Sequence, residues 1–156
     1  MAQNLTIFIH LIGFGLVCTV QLTGILLELR YRKAKDLQSK ASILTLIKPF
    51  GILSPVSVLI MLITGIGNME FLGFGIFSAG WLTAKIIFFA LLVIAGLIFG
   101  LKSRQRGSII QSMIKGDGVP GPKELLLNTE KQITLSYIVM PILLLIILLL
   151  TVYGTR

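Results

Sequence analysis

Apolar residues fill four long runs of this chain, Leu5 to Leu27, Pro49 to Gly67, Gly80 to Leu101 and Ile133 to Tyr153, and almost no charge interrupts them. Each run reaches the roughly 20 residues that a helix rising about 1.5 Å per residue needs to cross about 30 Å of hydrocarbon. The pattern predicts an all-α integral membrane four-helix bundle, a single four-pass transmembrane domain over residues 1–156. Composition agrees: 55% of the residues are hydrophobic and 13% are charged, outside the range of ordinary soluble domains. No Lys or Arg precedes the first run, and it is longer than the core of a secretory signal, so it reads as a membrane helix.

Charge then sets the orientation. Of the fourteen Lys and Arg residues, twelve flank the spans on one side. Arg30, Arg32, Lys33, Lys35, Lys40 and Lys48 lie in the first loop, and Lys102, Arg104, Arg106, Lys115, Lys123 and Lys131 in the third. The positive-inside tendency places these loops in the cytoplasm and both termini outside, as expected for a multi-pass protein of a bacterial-type inner (plasma) membrane. A net charge of +8 is thereby explained by topology, and nucleic acid is not expected as a partner.

The connecting segments carry further expectations. Leu29 to Lys48 mixes apolar and basic residues, as helical extensions lying on an anionic membrane surface would. Pro49 is expected to open the second helix and Pro55 to bend it, with Ser54 and Ser57 bonding carbonyls freed nearby. Asn68 to Ala79, rich in Gly and Phe, reads as a loop dipping into the outer interface. The third loop divides into a surface helix, Ser108 to Lys115, a breaker, Gly116 to Pro122, and a polar helix start from Lys123. Pro141 is expected to kink the last helix, and Gly96 to Gly100 to allow close helix approach, within the chain or in a dimer. A single cysteine, Cys18, permits neither a disulfide nor a cysteine-based metal site within one chain.

Ionisable side chains in hydrocarbon are costly, and His10 and Lys85 stand out for that reason. At about 100° per residue, Gln21 and Glu28 fall on the same stripe as His10, flanked by Thr6, Gly13 and Gly24. Gln21 is expected to bond another helix, and Glu28 to pair with Arg30, Arg32 or Lys48. Lys85 lies one turn below Trp81, and both His10 and Lys85 begin helices entering from the same side, so the two arrive at one depth. Each has an ordinary reading: Lys85 snorkels to headgroups, Trp81 joins the interfacial belt, and His10 is satisfied by a carbonyl. Together they form a candidate site. A neutral imidazole can ligate haem iron, a nearby cation can neutralise a propionate, and aromatic rings can pack the macrocycle. The same pair can alternatively relay protons. With one histidine per chain, bis-histidine ligation takes two chains. Met61 and Met140 count to other depths.

Two motifs carry a resemblance. HLIGFG, His10 to Gly15, and GWLTAK, Gly80 to Lys85, resemble the first-helix histidine motif and the Trp-Leu-x-x-Lys motif of a superfamily of small haem-associated membrane proteins. That superfamily includes the HemJ-type protoporphyrinogen oxidase and the CopD-like copper-resistance proteins. The resemblance covers the first three helices loosely. It implies an axial haem ligand at His10, with Trp81 and Lys85 lining a haem b or porphyrin site. Where HemJ-type enzymes carry an Arg after a Pro late in the first helix, this chain reads LTGILLEL, and Thr83 replaces the histidine frequent in the second motif.

The sequence therefore reads as an integral membrane haem or porphyrin-binding protein, redox-active or a HemJ-like relative, working as a homodimer or within a larger redox assembly. Its alternative is a non-enzymatic structural subunit or a small transporter.

Overall fold

The described residues form four helices: α1 (Ala2–Lys33), α2 (Leu37–Phe71), α3 (Gly80–Lys115) and α4 (Pro122–Gly154). The computed structural model describes residues 2–73, 75, 79–116 and 122–154, the side chain of Pro122 excepted. The breaker from residue 117 to 121 and most of the predicted outer loop after Gly73 therefore lie outside the described residues. All four helices are long and apolar enough to cross a membrane.

Each helix outruns its predicted span, because the basic extensions continue the helices instead of lying apart from them. Ser108 to Lys115 is the last part of α3 and not a separate surface helix. α3 ends where Gly116 takes a left-handed φ of 75°, a conformation that suits a residue without Cβ. The start of α2 also corrects an expectation. It begins at Leu37, so Pro49 lies well inside the helix. The reason is a cap: the Asp36 carboxylate accepts the Ser39 amide at 2.7 Å and the Ser39 hydroxyl at 2.7 Å, satisfying a donor that a helix start leaves bare. Pro55 and Pro141 are likewise passed without a break. Ser57 donates to the Ser54 carbonyl at 2.7 Å, whereas the carbonyl that Pro55 deprives of its helix partner is that of Gly51.

Helices α1 and α2 pack as one pair and α3 and α4 as another, with a sparser seam between α2 and α3. Close approach is bought with small residues. A Cβ on Gly13 of α1 would sit 2.8 Å from Ile60 Cγ2, and one on Gly96 of α3 would sit 3.7 Å from Met140 Cε. Gly96 thus serves contact within the chain, while the space beside Gly100 is open.

Within the apolar windows only 6–11% of residues are buried by the chain itself, so most side chains there face lipid or a neighbour. The densest packing instead lies at the charged ends of the helices. Tyr31, Ile109, Ile110 and Leu126 form a buried cluster, backed by Ala41, Ile43, Leu44 and Met113. Beyond the apolar runs the extensions build a small core of the kind water drives, drawn from all four helices.

Candidate functional site

His10 occupies the first third of α1, half-buried against α2. Its Nδ1 lies 2.8 Å from Thr64 Oγ1. The Thr64 hydroxyl has one proton, and at 2.6 Å that proton goes to the Ile60 carbonyl. The hydroxyl oxygen must then accept from the imidazole, so Nδ1 carries the hydrogen and the lone pair is left on Nε2. The Met61 backbone, one turn from Thr64 on the same face, also lies close to the ring. Met61 is thus nearer His10 than residue counting suggested, and its side chain abuts Gly13, one turn along α1.

Lys85 of α3, itself largely buried, lies within electrostatic reach of the imidazole. The two residues thus face each other's charge from different helix pairs. Trp81, one turn along α3, turns its indole onto α4 and packs against the backbone of Gly154, where any Cβ would overlap the ring. With Ile146, Leu149, Leu150 and Tyr153 it lines an apolar recess. Among the described residues no three His, Cys, Asp or Glu side chains gather to hold a metal ion by themselves.

A second polar cluster closes the opposite ends of the helices. Arg106 of α3, wholly buried, donates from Nη1 to Glu28 Oε2 of α1 at 2.7 Å. The other Glu28 oxygen accepts from Arg32 Nε at 3.2 Å, and Arg32 also donates to Thr134 of α4. The Arg106 guanidinium stacks on the Tyr31 ring, 4.2 Å from its centroid, and Lys40 Nζ lies 4.9 Å from the same centroid. Tyr31 donates to Glu130 Oε1 of α4 at 2.7 Å, and Lys40 of α2 lies 3.8 Å from that oxygen. Burial, with the Glu130 carboxylate beside it, pushes the Tyr31 phenol well above the usual tyrosine range. Helix backbones are too far apart for direct contact between α1 and α3 or α4 along most of their length; long side chains do the bridging.

Of the partners expected for Glu28, Arg32 is one, and Arg106 takes the place of Arg30 and Lys48. Read along the sequence, Arg106 is one of twelve flanking cations, and nothing in its neighbours sets it apart. The available signal was indirect: Glu28 stands on the buried stripe of α1 and needs a cation from another helix. Gln21 also departs from expectation. Its Nε2 is buried with no hydrogen-bond partner among the described residues, as are Nε and Nη2 of Arg106, the Tyr137 hydroxyl and Asn68 Oδ1.

Comparison with protein-family models, with curated proteins and with solved structures finds no match for this chain.

Proposed function

We propose that the chain is a membrane-embedded b-type haem or porphyrin-binding protein in which His10 is the axial ligand. The observation that carries this reading is the Thr64 hydroxyl, which accepts the His10 Nδ1 proton at 2.8 Å and leaves the Nε2 lone pair for a metal. Metal-bound histidines are held in this way, by an acceptor on the nitrogen remote from the metal. The scarcity of other ligands fits haem in particular, since the macrocycle supplies four nitrogens and asks the protein for one or two more. Lys85 would neutralise a propionate; Trp81, expected from the sequence to flank the macrocycle, has its indole against Gly154 of α4 instead. When bound, the group supplies one-electron redox chemistry; the chain orients it and keeps water away.

The twelve flanking cations favour an inner (plasma) membrane with the Glu28 end toward the cytoplasm and both termini outside. With a single histidine, bis-histidine ligation needs a second copy, so the proposal includes a homodimer or a larger redox assembly. Oxidation of a porphyrinogen, as in the HemJ-type enzymes, is the more specific form of the proposal and requires turnover by the pure protein.

An absorption spectrum of the detergent-purified protein, expressed with adequate haem, tests the proposal. A Soret band is expected, and His10→Ala should remove it. Wild-type protein with no Soret band under those conditions overturns the reading.

A further inference from the structure

The donors without partners near Glu28 are more than a packing flaw. Arg106 is wholly buried, yet only Nη1 of its guanidinium is engaged, and Nε and Nη2 have no acceptor among the described residues. The Tyr137 hydroxyl of α4 is also buried without a partner. It lies beside Gly24 of α1, where a Cβ would stand 3.5 Å from it, and it senses the charges of Glu28, Arg106 and Arg32. Gln21, one turn from Gly24 on the side away from Glu28, adds a buried amide nitrogen with no partner. Every one of these atoms carries a hydrogen to donate, and an unmet buried donor is expensive.

Charge narrows what they would accept. Arg32, Arg106 and Lys40 face the carboxylates of Glu28 and Glu130, leaving one positive charge in excess. Unmet buried donors beside that excess suit a small monovalent anion. Arg106 has no surface open to lipid, which argues against a headgroup phosphate and for an ion small enough to enter between helices. We infer that Arg106, Tyr137 and Gln21 form a binding site for a small monoanion of halide size, between α1, α3 and α4 at the charged end of the bundle.

Chloride and bromide are the probes. Thermal unfolding of the full-length protein in detergent should shift upward, and saturate, as chloride replaces gluconate at constant ionic strength. Tyr137→Phe and Gln21→Leu, which leave the Glu28–Arg106 pair intact, should each weaken the half-saturating chloride concentration at least several-fold. A crystal grown in bromide should show an anomalous peak beside Arg106. Equal stabilisation by gluconate, a chloride response unchanged in both variants, or water alone at that position in bromide crystals would overturn the site. None of these readouts depends on haem.

Discussion

Glu28 of α1 and Arg106 of α3 meet at 2.7 Å with side chains 5% and 0% exposed, and this ion pair ties together helices whose backbones barely touch. Two charges withdrawn from water repay their desolvation only when each keeps its partner. Glu28→Ala should therefore lower stability by about 3–5 kcal/mol, because Arg106 is left charged and buried. The double variant Glu28→Leu with Arg106→Met should lose less than Glu28→Ala alone. Thermal or denaturant unfolding in detergent measures both, and additive losses would contradict the pairing.

Thr64→Val keeps the volume near His10 and removes the acceptor for Nδ1–H. Loss of such an outer-shell partner typically weakens metal binding about 10–100-fold. Haem titration of the purified variant should show that weakening with the fold retained by circular dichroism. An affinity equal to wild type would mean that Thr64 has no part in orienting the ring.

Two glycines on α1 should answer oppositely to alanine. A Cβ on Gly13 would press on Ile60 Cγ2 at 2.8 Å and Met61 Cγ at 3.3 Å, whereas nothing lies within 4 Å of one on Gly15. Gly13→Ala should destabilise by about 1–3 kcal/mol through overpacking. Gly15→Ala should be neutral or mildly stabilising, since alanine favours the helix. Matched unfolding curves for the two variants decide the point, and an equal response would show that α1 and α2 do not approach as described.

The cap on α2 gives a pH signature. Its hydrogen bonds from Ser39 hold the Asp36 carboxyl below the ordinary aspartate value of 3.8. A carboxyl depressed by folding contributes stability that is fully present above that ordinary value, and the contribution is lost as pH falls through the lower, folded value. Protection of the amides in the first turn of α2, taken relative to their intrinsic exchange rate at each pH, should fall on acidification below pH 3.8 in the wild type. In Asp36→Asn, which keeps an acceptor but cannot titrate, the first turn should show no such step. A step persisting in that variant would assign it to another group.

How far the sequence reaches can be seen at the ends of the helices. The four apolar runs were legible residue by residue, because crossing hydrocarbon demands a length and an absence of charge that any chain must display in order. The extensions were not. Asp36 followed by Ser39 is a short capping signal, whereas Pro49, thirteen residues after Asp36, is the helix start that the apolar pattern suggests. Once capped, a helix tolerates a proline whose lost bond is one among many.

Sequence alone determined the four-helix class and the stripe on α1 that carries His10, Gln21 and Glu28, since both follow from periodicity and from the cost of idle polarity in lipid. Which groups those residues meet was decided only by tertiary structure. That His10 finds Thr64, that Glu28 finds Arg106 rather than Arg30 or Lys48, and that Trp81 turns to Gly154 depends on how helices rotate and pair. Rotation and pairing are set by packing between segments far apart in the chain, and no local pattern records them.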